Sequence, residues 1–456
     1  MRYEFVTPLV LARSAAAQQD GLHSTVMRIT NFRGRTVSFP EGFLWGAATA
    51  AHQVEGGNVN SDFWALEHQP GSMFAEPSDD ACDHYRLFGQ DIAMLAELGL
   101  DAYRFSIEWA RVEPAPGRYS RSALAHYGEV LQACRDHGIT PMVTLHHFSN
   151  PRWLTELGGW EDQDTPGRFA GYCGTVLGEL GSLIPYACTI NEANIGQIIR
   201  RLIAAGEGRN LHREAVVGLA GDRAAMETEA EPAGVRPQRP KGIFLFTFSG
   251  EGHDIICRAH TLAREAVRQA SPATKVGITL ALQDVQVQPG GEKESDEIWA
   301  RQFTDYLPAL AGDDFIGVQN YSRIVVGPDG EIPAADMGGE LTQMGYEFYP
   351  QALEGVLRRA AGAGLPLFVT ENGIATADDT RRAEFVRLAL GGVARALADG
   401  IDVRGYFYWS ALDNFEWMLG YRPTFGLVAV DRATQRRTVK DSARYLGGIA
   451  QRNALG

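Results

Sequence analysis

The feature that most constrains this sequence is a short β-rich segment followed by a longer amphipathic one, repeated along most of its length. Stretches such as "YGEVLQACRDHG" and "FVRLALGGVARALADG" have the apolar spacing of surface helices. Alternating strands and helices predict a parallel sheet, and eight units are the number that closes a barrel. We therefore predict an α/β fold, a (β/α)8 TIM barrel. The predicted strands are residues 43–49, 102–109, 140–148, 187–194, 275–282, 314–321, 366–373 and 403–410.

Several predicted strands begin with apolar residues and end in large polar or aromatic ones. The C-terminal strand ends of a barrel surround one mouth, so these side chains should converge there. A simpler interpretation, that polar residues only mark where strands stop, accounts for one or two such endings but not six. The six endings are Arg104 to Trp109, His146-His147, Asn191-Glu192, Gln319 to Tyr321, Glu371-Asn372 and Trp409-Ser410.

We find no internal repeat and no strong linker, so residues 37–456 are predicted to form one domain, the barrel, with long loops at the C-terminal mouth. Residues 205–241 lack an apolar period and are interpreted as a long insertion after the fourth strand. The stretch 325–333 is predicted to be a hairpin that turns at Asp329-Gly330.

Residues 1–36 are predicted to be a disordered N-terminal extension, within which Met27 is an alternative start. A signal peptide is the competing interpretation, because the segment contains a short apolar stretch and an Ala-rich end. Glu4, Pro8 and Arg13 interrupt the pattern that an export signal requires.

Composition restricts the classes of partner. A net charge of −14 with a pI near 5.3 argues against binding nucleic acid or an anionic membrane through bulk electrostatics. The five cysteines form no CxxC pair, which favours a reducing compartment and a cytoplasmic location. No apolar run approaches the roughly 20 residues of a membrane span. Phosphate-loop, HExxH and dinucleotide motifs are absent, and we predict no metal or organic cofactor.

Two predicted strands carry a glutamate beside an asparagine: "TINEAN" contains Glu192 and "FVTENG" contains Glu371. These strands, the fourth and the seventh, should face each other across the mouth. Two facing carboxyls push their pKa values apart, and acetal hydrolysis needs one protonated acid and one anion. The alternative is two hydrogen-bonded carboxylates with a purely structural role at the rim.

Six motifs, in this order along the chain, resemble the motifs of one known enzyme family. They are "FPEGFLWGAATAAHQVEG", "YRFSIEWARVEP", "TLHHFSNPRWL", "TINEAN", "VTENGI" and "GYFYWSALDNFEWMLGYRPTFGLVAVD". Over roughly residues 38–450 the sequence resembles the family 1 glycoside hydrolases, the β-glucosidase family. The resemblance implies that Glu371 is the nucleophile and Glu192 the general acid/base of a retaining double displacement, with the two carboxyls about 5–5.5 Å apart.

The same resemblance implies roles for the neighbouring residues. Arg104 and Tyr321 match the residues that contact the nucleophile and keep it anionic. Asn191 matches the amide that binds the sugar 2-OH. The matching sugar-binding positions are Gln53, His147, Trp409, Glu416, Trp417 and Phe425.

Alone, His147 would more often be structural, and Arg104 could be an ordinary salt-bridge residue. Trp409 is expected to lie beneath the sugar ring. A carboxylate at Glu416 would repel a phosphate, so unphosphorylated glycosides are the expected substrates.

Some positions depart from the family pattern. Ala193 stands where proline is usual, which predicts a less rigid acid. Asn194 replaces a tryptophan that lines the leaving-group site. Gln319-Asn320 replaces an Asn-Tyr pair, and Thr424 replaces an arginine. These changes predict a different or wider leaving-group pocket.

The favoured function is a retaining β-glycosidase, with β-glucosidase the first choice. A transglycosidase using the same residues is the close alternative. A non-catalytic sugar-binding barrel is disfavoured because Glu192 and Glu371 are both present. A barrel whose mouth serves another reaction is disfavoured because the sugar-binding positions are present together. The sugar, the natural leaving group and the oligomeric state stay open.

Overall fold

The computed structural model describes residues 36–208 and 242–456. Within it, Val37–Leu455 form one compact unit. The predicted extension 1–36 lies outside the described residues except for Thr36. The predicted insertion 205–241 also lies outside them except for residues 205–208, which continue a helix, Ile195–Gly208.

The centre of the unit is a closed barrel of eight parallel strands, which confirms the predicted (β/α)8 fold. Each strand pairs with its neighbours in chain order, and β8 closes the barrel by pairing with β1. The barrel strands are β1 (Leu44–Ala48), β2 (Ala102–Ser106), β3 (Thr140–His146), β4 (Tyr186–Ile190), β5 (Lys275–Ala281), β6 (Phe315–Gln319), β7 (Leu367–Asn372) and β8 (Val403–Trp409).

All eight predicted strands are present, but several end earlier than predicted. β2 ends at Ser106 because Glu108 caps the next short helix, where its carboxyl accepts a hydrogen bond from Ala110 N at 3.1 Å. β4 ends at Ile190 because the chain leaves the extended conformation at Glu192, whose φ is +43°. Some of the predicted strand ends therefore lie just beyond the strands, namely Trp109, His147, Asn191-Glu192, Asn320-Tyr321 and Ser410. The others lie within the strands, namely Arg104, His146, Gln319, Glu371-Asn372 and Trp409.

Helices surround the barrel, and side-chain caps fix where several of them begin. Ser249 accepts a hydrogen bond from Gly252 N at 2.9 Å and starts the longest helix. The longer helices are His84–Glu97, Arg121–Asp136, Thr165–Leu180, Ile195–Gly208, Gly250–Ala270, Glu292–Gln302, Ala352–Ala360, Asp379–Ala398 and Asp441–Arg452. The shorter ones are Ala51–Val54, Asp62–Glu67, Trp109–Val112, Arg152–Glu156 and Leu307–Leu310. None of the described helices is long and apolar enough to cross a membrane.

Three small sheets are separate from the closed barrel in the described residues. The predicted hairpin is confirmed as Arg323–Gly327 paired antiparallel with Gly330–Ile332. Its turn is Pro328-Asp329, one residue earlier than predicted, because Gly330 (φ +104°) already pairs with Gly327. The remaining short strands are Val37–Ser38 with Ala454–Leu455, Asp284–Val287 beside the hairpin, and Val428–Val430 with Arg437–Val439.

The strand alternation separates two cores. On β2, Tyr103 and Phe105 pack outward in the large core that includes the helices. Ala102 lies on the same face as Arg104, whose side chain crosses the barrel interior to β7. Small and aromatic residues fill this interior below the mouth, where the polar side chains begin.

Candidate active site

Glu371, near the end of β7, accepts two short hydrogen bonds at the mouth. Arg104 Nη1 donates to Glu371 Oε1 at 2.6 Å, and the Tyr321 hydroxyl donates to Oε2 at 2.6 Å. The glutamate is only 3% exposed and the arginine is fully buried. Burial raises the pKa of Glu371, while the charge of Arg104 and the two hydrogen bonds lower it. The predicted neighbours of this carboxyl are thus in contact with it.

Arg104 also fixes the orientation of the Asn191 amide. Its Nη2 donates to Asn191 Oδ1, which accepts a second hydrogen bond from Gln319 Nε2 at 2.8 Å. Thr279 Oγ1 donates to the same oxygen at 3.3 Å. Since the oxygen faces three donors, Asn191 Nδ2 is the free end, and it has no partner among the described residues. The amide therefore presents N–H groups to the mouth.

Glu192 lies two residues beyond β4 and is 9% exposed. Burial raises its pKa well above the ordinary value, and the negative charge of Glu371 raises it further. Arg104 lowers the pKa of Glu192 but donates its hydrogen bonds to Glu371 and Asn191 instead. The two carboxyls thus differ in their neighbours, and Glu192 is the one that keeps its proton to higher pH.

A second polar group forms on the other side of the mouth around Glu416. Gln53 Nε2 and Trp409 Nε1 each lie 3.4 Å from one of its carboxyl oxygens. Gln53 Nε2 also donates to Phe415 O at 2.7 Å, and its Oε1 has no partner in the described part of the chain. Gln53 therefore has an acceptor left for a ligand hydroxyl.

Burial raises the pKa of Glu416 to about 8. At neutral pH its carboxyl is therefore mostly protonated. Glu416 can donate a hydrogen bond to a sugar hydroxyl as well as accept one.

Aromatic rings flank this polar group. His147 stacks near Trp409, with ring centroids 5.8 Å apart and planes at 25°, and near Trp417, 6.2 Å away at 22°. Burial lowers the pKa of His147 well below its usual value, so the ring is neutral. Its Nδ1 has no partner within residues 36–208 and 242–456. Phe425 packs edge-on against Tyr321 at 5.8 Å.

Asn194 does not line the mouth. Its side chain is fully buried, and its amide bonds to the backbone of Ala281 and Gln302. Asn194 therefore contributes no side chain to the mouth, and the predicted different or wider leaving-group pocket stays a prediction.

Sequence reasoning missed Tyr346. Burial raises the pKa of this phenol, and the negative charges of Glu192 and Glu416 raise it further, so it lies within electrostatic range of both carboxyls. It belongs to residues 338–349, which we call the rim segment. This segment follows no barrel strand directly, so the strand-end pattern gave no signal for it.

The family model described as glycosyl hydrolase family 1 matches residues 35–204 and 325–455. β-Glucosidase A of Thermotoga maritima is 30% identical over 91% of this chain and 98% of its own length. Thermostable β-glucosidase B of Thermobispora bispora is 31% identical, covering 92% of both chains. The crystal structure of β-glycosidase BGL167 is 50% identical and superposes with a TM-score of 0.81, covering 91% of this chain and 97% of that one.

Proposed function

This chain belongs to glycosyl hydrolase family 1, and we propose that it is a retaining β-glucosidase acting on terminal, unphosphorylated β-D-glycosides. The main support for the retaining mechanism is that two buried carboxyls at one mouth have different environments. Arg104 and Tyr321 stabilise the anion of Glu371, whereas burial and the charge of Glu371 favour the protonated form of Glu192. This is the acid-and-anion pair that acetal cleavage needs.

In the first step, a Glu371 oxygen attacks the anomeric carbon and forms a glycosyl ester. The bond to the leaving oxygen breaks, and Glu192 gives its proton to that oxygen. Glu192, now anionic, takes a proton from water in the second step. The resulting hydroxide equivalent attacks the anomeric carbon, which frees Glu371 and yields a sugar with its original β configuration.

The other groups bind the sugar. Asn191 Nδ2 would donate to the 2-OH, a contact that strengthens in the transition state. The free acceptor of Gln53 and the protonated carboxyl of Glu416 would bind neighbouring hydroxyls. The remaining substrate-binding candidates are the aromatic residues His147, Trp409, Trp417 and Phe425.

The deciding experiment is hydrolysis of a panel of aryl β-glycosides by wild type and Glu371→Gln, with the product anomer followed by NMR. We expect wild type to release the β-anomer first and the variant to lose nearly all activity while keeping the wild-type circular dichroism spectrum. An α-anomer as first product would contradict retention. Sugar binding without any turnover would favour the non-catalytic barrel, and glycosides formed with an added alcohol would reveal transglycosylation.

The leaving-group side is expected to depart from the family pattern, because Asn194 puts no side chain at the mouth where a tryptophan is usual. The predicted effect of residues 205–241 on this pocket lies outside the described residues and stays a prediction. Deleting that insertion should change the preference among leaving groups of different shape. An unchanged preference would contradict the hypothesis.

A cytoplasmic location is proposed from the cysteines. All five are unpaired, four of them are buried, and none forms a disulfide. Fractionation of the source cells would test this, since recovery of the protein outside the cytoplasmic fraction would overturn it.

A further inference from the structure

The backbone of Glu192 has an unusual conformation for a glutamate. Its φ of +43° lies in the left-handed region, which L residues with a side chain rarely adopt. Such a conformation persists only where the surroundings fix it. β4 has already ended at Ile190, so the fixing contacts must come from beyond the strand.

Those contacts come from β5, one residue after another. The hydroxyl of Thr279 accepts a hydrogen bond from Glu192 N at 3.0 Å, and its carbonyl accepts one from Ala193 N at 3.1 Å. The side-chain amide of Asn194 then pairs with the backbone of Ala281 as the peptide group of a neighbouring strand would. Its Oδ1 accepts from Ala281 N at 2.9 Å, and its Nδ2 donates to Ala281 O at 2.6 Å.

Two further bonds tie the same turn to the outer layer. Asn194 Nδ2 also donates to Gln302 O at 2.8 Å, at the end of the helix Glu292–Gln302. The Tyr306 hydroxyl donates to Ala193 O at 3.2 Å. The bond from Ala193 N needs a backbone N–H, which a proline at this position would lack. The predicted loss of rigidity at Ala193 is therefore offset by hydrogen bonds.

We propose that Asn194 is a positioning residue for the acid/base: with Thr279, its amide extends the β4–β5 pairing and holds the backbone of Glu192 so that its carboxyl faces the leaving oxygen. This inference rests on the proposed function, because it assigns Glu192 the acid role. Asn194 touches neither substrate nor the reacting carboxyls. Its contribution should therefore appear where Glu192 gives or takes a proton, and kcat/KM reports the first of these steps, in which Glu192 protonates the leaving group.

The test is the dependence of kcat/KM on the leaving group, measured with aryl β-glucosides from dinitrophenyl to unactivated phenyl. Dinitrophenolate departs without a proton, whereas a poor leaving group needs one. Asn194→Ala should lose little on the dinitrophenyl substrate and roughly 10- to 100-fold on the poor ones, a part of the 10²–10⁴-fold that positioned proton transfer contributes. The basic limb of its pH profile should also shift.

A matched control separates positioning from general damage. Asn453 is another asparagine whose amide bonds to backbone, but at the junction of the two ends of the barrel unit: its Nδ2 donates to Phe39 O at 3.0 Å and Pro40 O at 3.1 Å. Asn453→Ala should lower the melting temperature, but any loss of activity should be equal for all leaving groups. If Asn194→Ala does not fold, Thr279→Val takes its place, and Thr279→Ser, which keeps the acceptor hydroxyl, should lose less on the poor leaving groups.

The outcomes are distinct. An equal loss for Asn194→Ala on every substrate, or no loss on the poor ones, would overturn the positioning role while leaving the proposed function intact. If the wild-type enzyme were inert on the whole panel, the result would contradict the proposed function and this inference with it.

Discussion

At the scale of single residues, three buried glutamates at the mouth differ in their proton affinity because their surroundings differ. Glu371 has a guanidinium and a phenol within hydrogen-bonding distance, Glu192 faces a like charge, and Glu416 lies between a glutamine and an indole. Burial raises the pKa of all three. The hydrogen bonds at Glu371 then separate the anion from the acids.

Tyr321→Phe tests that separation. The lost 2.6 Å hydrogen bond stabilises the anion of Glu371, so its pKa should rise. The acidic limb of kcat/KM should move up by about one pH unit, because a hydrogen bond to a charged group contributes about 1.5–3 kcal/mol and one pKa unit is about 1.4 kcal/mol. The basic limb should hardly move. Equal movement of both limbs of the pH profile would contradict the assignment of the acidic limb to Glu371.

Glu416→Gln should change how stability depends on pH. The folded protein keeps the proton of Glu416 to about pH 8, whereas the unfolded chain releases it near 4.5. The group therefore lowers the stability of the folded state progressively as pH rises from about 4.5 to 8. The variant should gain melting temperature relative to wild type more at about pH 9 than at about pH 5, while losing activity. The exposed Glu179→Gln is the control and should show no such trend.

At the scale of elements, the rim segment is held by arginines that lie outside it. Arg323 donates two hydrogen bonds to Glu347, at 2.8 and 2.9 Å. Arg381 pairs with Glu340 near the N-terminal end of the rim segment. These pairs hold the rim segment on both sides of Tyr346 in the sequence, although the segment contains little regular structure.

Arg323→Ala should loosen the rim segment. Glu347 would be left buried without its partner, which should lower the free energy of unfolding by about 2–3 kcal/mol, less than for a fully buried pair because Arg323 is partly exposed. We also expect KM for bulky aryl glycosides to rise more than kcat falls. Adding Glu347→Gln should recover part of the stability in denaturant unfolding. If the double variant is no more stable than the single one, the ion pair is not the cause.

The sequence predicted elements and their order better than their contacts. Strand periodicity located β4 and β7, and the polar endings placed Glu192 and Glu371 at one mouth. The roles of Thr279 and Asn194 were missed because a hydrogen bond across neighbouring strands leaves no local pattern in either one. Tyr346 was missed because its position depends on ion pairs between residues distant in sequence.

At the scale of the whole molecule, the two ends of the barrel unit meet. Val37–Ser38 pairs with Ala454–Leu455, and Phe39 N donates to Asn453 O at 2.9 Å. The Phe39 ring packs against Phe43 and Trp45 at 5.0 and 4.7 Å. This junction gives the barrel unit a defined first residue.

Two truncations test that boundary. A chain starting at Thr36 should keep the melting temperature and kcat/KM of wild type. A chain starting at Glu41 loses the short strand and Phe39, and its free energy of unfolding should fall by about 2–3 kcal/mol, the value of one buried aromatic side chain. Loss of activity in the chain that starts at Thr36 would show that residues 1–35 contribute to the fold or the site.

The unpartnered atoms at the mouth have a consequence for engineering. Gln53 Oε1, His147 Nδ1, Asn191 Nδ2 and Gln319 Oε1 are buried, and none has a partner within the described residues. Each such atom lowers the stability of the fold. A library selected only for heat resistance should therefore accumulate apolar replacements at these four positions and lose turnover as it does so. Heat-resistant descendants of this protein would be obtained more safely by holding these four positions constant and varying the outer helices.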